Sequence, residues 1–206
     1  MATTQAPLFG LDASGSIGGA ITYAKWRGRT YVRVKSTPSN PKTGPQKSTR
    51  AMMRFLSTAW KALSAADKAT WATLAAAENY STFNAYVRFN MDRWTQNTTP
   101  FDRPTPTAGI VPVMGALSLT GGVGQLSVSQ VITTANQIWG MEIAVSTVTG
   151  FTPGKTDIYY IVEQTTSPIL AVVVDLKPAT YFVRTAGFTK DGDLSAYVAQ
   201  GSAVVT

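Results

Sequence analysis

Cysteine and histidine are both missing from the 206 residues of this chain. Without cysteine there is no disulfide, no thiolate nucleophile and no cysteine-held metal. Without histidine, the commonest general base and the commonest transition-metal ligand go together. Charge is sparse as well: charged residues make up 14% against 44% hydrophobic ones. That balance suits a folded chain with a polar rather than ionic surface, not a disordered one. Long apolar runs are also lacking. Ile169 to Val174 is among the longest and falls far short of a membrane span. Met1 to Pro7 shows no basic region leading into an apolar run, so neither a signal peptide nor membrane association is expected.

The scarce acids narrow the chemistry further. Asp67, Glu78, Asp92 and Asp102 are scattered, and no spacing favours a carboxylate pair. Asp191-Gly192-Asp193 resembles a calcium loop only in part, because the loop-ending glutamate is missing, and it reads as a hairpin turn. The glycine-rich pieces Ser14–Gly19 and Gly121–Gly124 neither lie between a strand and a helix nor end in Gly-Lys-Ser/Thr, so they form no phosphate cradle. The expectation is a non-enzymatic protein with no metal and no cofactor.

What is present is positive charge, unevenly spread. Residues 1–103 hold 14 Lys and Arg against 5 Asp and Glu, whereas residues 104–206 hold 4 against 6. A basic half joined to a mildly acidic half predicts two modules in different surroundings.

Along the chain, residues 1–19 read as a small, glycine-rich flexible arm. Ala20–Trp26 and Thr30–Lys35 are rich in β-branched and aromatic residues and flank Arg27-Gly28-Arg29, which predicts a basic β-hairpin. Two strands alone are marginal in water, so the ribbon needs something to pack on. Residues 36–45, with Pro38 and Pro41, form an extended connector. Three helices follow at about 46–63, 65–79 and 82–95, the second opened by Ser64 and Asp67 as a cap. Trp60, Trp71 and Trp94 form the core of this helical unit. Thr95–Pro112 is rich in proline and reads as an interdomain linker, giving an arm (1–19), a hairpin plus three-helix unit (20–95), a linker (96–112) and a C-terminal domain (113–206).

In that last domain the pattern changes to period two. The predicted strands are Gln125–Val131, Trp139–Val148, Asp157–Glu163, Ile169–Val174, Thr180–Thr189 and Leu194–Val205. Short strands without intervening helices predict an antiparallel β-sandwich, making the chain α+β in two modules. The segment Leu176–Phe188 followed by Asp191–Tyr197 resembles the last two strands of a fibronectin type III domain. The resemblance implies that Trp139, Tyr181 and Phe182 belong to the sandwich core; it implies no activity.

Two further resemblances concern the N-terminal half. Trp60–Lys68 with Trp71, and Asn84–Phe89, resemble helices of an HMG box, a DNA-bending module, but in the wrong order and without its dense lysine flank. Gly28–Arg33, Pro38–Thr43 with Gln46 and Arg50, Trp60…Ser64…Trp71, and Phe83–Tyr86…Asn90…Arg93 are similar, in their actual order, to small virion structural proteins of tailed bacteriophages. This resemblance implies a location in the virion and partners among the major capsid or connector subunits, with homo-oligomers in the assembly. It implies a head-attached protein docking through its arm and hairpin, with Trp26, Arg27, Arg29, Tyr31, Arg33, Asn40 and Pro41 as contacts. The alternatives are a tail or head–tail connector component, and a DNA-binding protein using the basic half.

Overall fold

The computed structural model describes residues 14–37, 39–106, 109–133, 138–163 and 167–206. The fold is mixed α+β, and every sheet is antiparallel. The chain divides into two compact units, residues 1–41 and 42–206. The first unit holds a three-stranded sheet, β1 (Gly15–Ile17), β2 (Ile21–Trp26) and β3 (Arg29–Val34), in that order. Most of the predicted arm, residues 1–13, lies outside the described residues, but Gly15–Ile17 is a paired strand rather than a free arm.

The second unit opens with α1 (Gly44–Ala62), begun by Pro45 in its first turn, where a missing N–H costs nothing. Ala51, Met52, Phe55, Leu56 and Ala59 recur at helical spacing and are buried. Ser64 caps the next segment by accepting the Asp67 N–H at 3.1 Å. That segment is not the continuous helix predicted over 65–79. It is interrupted at Trp71 into α2 (Ala65–Thr70) and α3 (Ala72–Ala77). Trp71 is fully buried and its indole N–H donates to the Asp102 carbonyl at 2.9 Å. Ser81 caps α4 (Thr82–Thr95), which buries Ala85, Tyr86, Asn90 and Trp94.

Among the described residues, seven strands complete the unit: β4 (Met114–Gly122), β5 (Gln125–Ile132), β6 (Gly140–Ser146), β7 (Ile158–Glu163), β8 (Ile169–Val174), β9 (Ala179–Phe188) and β10 (Gly201–Val205). They form one sheet in the order β4-β5-β8 and another in the order β10-β9-β6-β7. Leu126, Val128, Ile169, Ala171 and Val173 of the first meet Met141, Ile143, Val145, Tyr181 and Val183 of the second. The two sheets therefore face one another as a sandwich. Residues 194–200 are not part of the final strand as predicted. Leu194 makes one isolated bridge to Phe188, and regular pairing resumes only at Gly201.

The four-stranded sheet is covered on its other side by the helices, so the second unit has three layers. Phe55 of α1 lies edge-on to Trp139 at 5.0 Å and to Phe188 at 5.3 Å between ring centroids. Gly140 permits this approach, since a Cβ there would run into Phe188 and Phe55. The expected domain boundary at 96–112 is accordingly not where the chain divides: helices and sandwich share a core. Trp139 belongs to this sheet–helix core and not to the space between the sheets. Alternation along β9 sends Tyr181 and Val183 into the sandwich and leaves Phe182 half-buried on the opposite side, outside the sandwich core. Trp60, expected in the helical core, is only partly buried at its margin.

The proline-rich stretch is a strap rather than a free linker. The Asn90 side chain accepts the Phe101 N–H at 2.7 Å and donates to the Phe101 carbonyl at 3.0 Å, as a strand neighbour would. Arg93 donates to the Thr99 carbonyl at 2.9 Å and lies 3.5 Å from the centre of the Phe101 ring. On the far side, Thr99 donates to the Gly192 carbonyl, and Gly192 lies so close to Phe101 that a side chain would collide. The Asp191–Asp193 segment is thus a turn packed on the strap.

Candidate docking surface

The ribbon of the first unit carries the greatest concentration of the sequence-predicted contacts. Residues 14–41 include five Lys and Arg and no Asp or Glu. The β2–β3 turn consists of Arg27 and Gly28, both at positive φ (48° and 78°), which matches the twist of a tight two-residue hairpin. Arg29, expected in the turn, is therefore the first residue of β3 and pairs with Trp26.

That register determines what each side presents. Trp26 stands opposite Arg29, Ala24 opposite Tyr31 and Thr22 opposite Arg33. Because side chains alternate along a strand, these six share one face. Ser16 of β1 joins them, its hydroxyl 3.1 Å from that of Thr22. Arg27 extends the face at the turn, its guanidinium 4.8 Å from the centre of the Trp26 ring, and Trp26 is 64% exposed. The opposite face carries Ile21, Tyr23, Lys25, Val32 and Val34, mostly apolar with one cation, and Val34 is 80% exposed. Five of the seven predicted contact residues, Trp26, Arg27, Arg29, Tyr31 and Arg33, are thus gathered at one face, whereas Asn40 and Pro41 lie in the exposed connector beyond β3. The apolar face was legible in the period-two pattern but was not picked out by it.

Cations over aromatic rings are a motif a partner could use. A guanidinium spread over Trp26 keeps its donors directed outward, and a planar fork suits carboxylate or phosphate groups. Among the described residues, no group of three or more Asp and Glu side chains is arranged to hold a metal ion. No described helix is long and apolar enough to cross a membrane. A second basic set lies on α1: Lys47 and Arg54 join Arg50, already named in the sequence resemblance, and spacing of three and four residues places all three on one helix face.

No protein-family model matches the chain, and no curated protein does either. Among solved structures, a family 76 glycoside hydrolase from a bovine Bacteroides thetaiotaomicron strain is 16% identical over 46% of this chain, with a TM-score of 0.37. The match spans 20% of that enzyme's length. The PKD domain of an M14-like peptidase from Thermoplasmatales archaeon SCGC AB-540-F20 is 18% identical over 48% of this chain and 98% of its own, with a TM-score of 0.30. An AA10 lytic polysaccharide monooxygenase from Streptomyces lividans is 11% identical over 41% of this chain and 58% of its own, with a TM-score of 0.31.

Proposed function

We propose that the chain is a non-enzymatic structural protein of a tailed-phage particle, attached to the head and docked through its N-terminal ribbon. The observation that carries this reading is the two-faced ribbon. Trp26, Arg29, Tyr31 and Arg33 stand on one face and Ile21, Tyr23, Val32 and Val34 on the other. A small sheet with an aromatic–basic side and a mostly apolar second side, on which Ile21 and Val34 are exposed beside Lys25, suits burial in a protein interface, where Trp, Tyr and Arg supply most of the binding energy. The partners in this reading are capsid or connector subunits, met many times over on a repeating lattice.

The 42–206 unit would be the displayed body. Its strand order, β4, β5 and β8 in one sheet and β10, β9, β6 and β7 in the other, supports a fibronectin type III-like reading. So does Tyr181, whose hydroxyl accepts the Lys177 N–H at 3.2 Å, the reach-back of a tyrosine corner.

The test is co-sedimentation of the purified chain with empty capsid shells, beside a DNA mobility shift across a salt series. Saturable shell binding that Trp26→Ala with Arg29→Glu abolishes, with no DNA shift, is the expected result. Binding to isolated connector or tail rings alone would move the protein to the neck or tail. A shift that weakens steeply with salt, without shell binding, would replace the reading by DNA contact.

A further inference from the structure

The two sides of the sandwich are finished differently. On one side the edges of β4 and β10 are joined, with the Gly124 N–H donating to the Thr206 carbonyl at 2.9 Å and the Thr206 N–H to the Gly122 carbonyl at 3.2 Å. On the other side, β7 and β8 are the last strands of their sheets. There a cleft of about 270 Å³ opens between β7, β8 and α1, lined among others by Lys42, Lys47, Arg50, Arg54, Tyr160 and Asp175.

The cleft is basic and already shows what it holds. Lys42 Nζ lies 2.6 Å from Asp175 Oδ1, and Lys47 Nζ donates to the Asp175 carbonyl at 2.9 Å. Arg54 spreads over the Tyr160 ring at 4.4 Å. Of the four cations that line the cleft, Lys42 thus meets the Asp175 carboxylate and Lys47 its carbonyl, with Arg50 and Arg54 on the same wall. Burial draws the Lys47 amine below its ordinary value; Asp175 opposes this and Lys42 adds to it. Beside the cleft, β8 turns Leu170, Val172 and Val174 outward, all exposed, and Leu170 is 72% exposed. Among the described residues, β8 is paired with β5 and with no other strand.

We propose that this cleft and the adjoining edge of β8 bind an extended acidic segment of a partner protein. The segment adds as a strand to β8 and sets its carboxylates against Lys47, Arg50 and Arg54. A strand edge offers main-chain hydrogen bonds to a peptide, and a row of alternate apolar side chains offers it register. Asp175 presents a carboxylate and a peptide carbonyl to the lysines, the same two groups such a segment brings. A polyphosphate or nucleic-acid strand would use the cations and leave the edge and the apolar row idle. This binding is separate from attachment through the ribbon, and each can fail without the other.

The test uses the whole chain and a fluorescent synthetic peptide alternating valine and glutamate, read by anisotropy. The comparison probes are the valine–lysine counterpart, tripolyphosphate and single-stranded DNA. Lys47→Glu with Arg54→Glu is expected to weaken the valine–glutamate peptide by at least about tenfold. Arg29→Glu with Arg33→Glu, outside the cleft lining, is expected to leave it within about twofold, since salt screens exposed charges that do not touch the peptide. In the unaltered protein, the peptide should also slow amide exchange along Ile169–Val174, a measurement that no misfolded variant can confuse. Equal affinity in the cleft variant, unchanged exchange along β8, or tighter binding of tripolyphosphate or DNA than of the peptide would each overturn the proposal.

Discussion

Toward the three-stranded sheet, the sheet β10-β9-β6-β7 presents Met141, Ile143, Val145, Tyr181 and Val183; toward the helices it presents Glu142, Ala144, Ala186 and Phe188. The first side is mostly aliphatic, with one neutral pair, the Thr185 hydroxyl donating to Gln130 at 2.7 Å. The second side is aromatic and holds a buried ion pair: Lys155 Nζ is 2.6 Å from Glu142 Oε1, and the Tyr197 hydroxyl donates to Glu142 Oε2 at 2.8 Å. Lys155 also lies 4.4 Å from the centre of the Trp94 ring, and its carbonyl accepts from Ser48 of α1. Aliphatic packing accepts many arrangements of similar volume, whereas a buried charge tolerates few. The sandwich side therefore asks for volume and register, and the helix side asks for particular partners. That is how two layers with little sequence pattern in common hold one orientation.

The contrast breaks most visibly at Lys155. Lys155→Met leaves Glu142 charged and unpaired in the interior and should cost about 3–5 kcal/mol in urea unfolding. Adding Glu142→Leu should recover much of that loss. A cost below about 1 kcal/mol for the single change would mean that water reaches the pair in solution. Next comes Asn90→Leu, which strips both partners from the half-buried Phe101 backbone. The expected loss is about 2–3 kcal/mol, with faster proteolysis across 96–103. An intact strap in that variant would show that Arg93 and Thr99 suffice to hold it.

Alkali separates the two sides by another route. Burial first, then the Glu142 charge and hydrogen bond, push the Tyr197 hydroxyl far above its ordinary 10.0. Tyr86, fully buried, is pushed up by burial first, then by Asp102 and Glu163. Both stay protonated in the fold while the unfolded chain releases its protons. Stability from this source is complete below pH 10 and falls above it, by about 1.4 kcal/mol per pH unit for each tyrosine. Tyr197→Phe should remove one of the two slopes, and an unchanged alkaline slope would show that this hydroxyl is exposed. On the aliphatic side the effect is smaller: Ile143→Val should cost about 1 kcal/mol with no pH dependence. Smallest of all, Trp26→Ala in the ribbon should change stability by no more than about 0.5 kcal/mol. A larger loss would make Trp26 a packing residue instead of a contact.

Local signals were read well wherever local chemistry decides. The cap at Ser64, the Asp191–Asp193 turn, and the period-two runs of β5, β7 and β8 follow from adjacent residues alone. Misreadings arose where distant residues decide. Proline and glycine mark the 95–112 stretch as a linker, because nothing local shows that the Asn90 amide and Gly192 hold Phe101 in place. The fibronectin-like resemblance puts Trp139 between the sheets, because nothing local shows that helices cover the far side of its sheet. β6 is buried on both faces, so its alternation vanishes and the sequence hides which residues face which layer. At the ribbon, the residues proposed as contacts can be named from the sequence, but that they share one face depends on the Trp26–Arg29 register. The basic cleft needs α1 beside two strand edges, which no segment of sequence contains.

The meeting of Phe55, Trp139 and Phe188 over Gly140 also determines how such a chain can be recombined. A crossover at 41/42 exchanges a compact unit whole. One within 96–112 would part Phe55 from both of its ring neighbours and hand a foreign sandwich a helical pack with no glycine beneath it. Helices and sandwich therefore recombine as one block, whereas residues 1–41 form a unit that can be exchanged by itself.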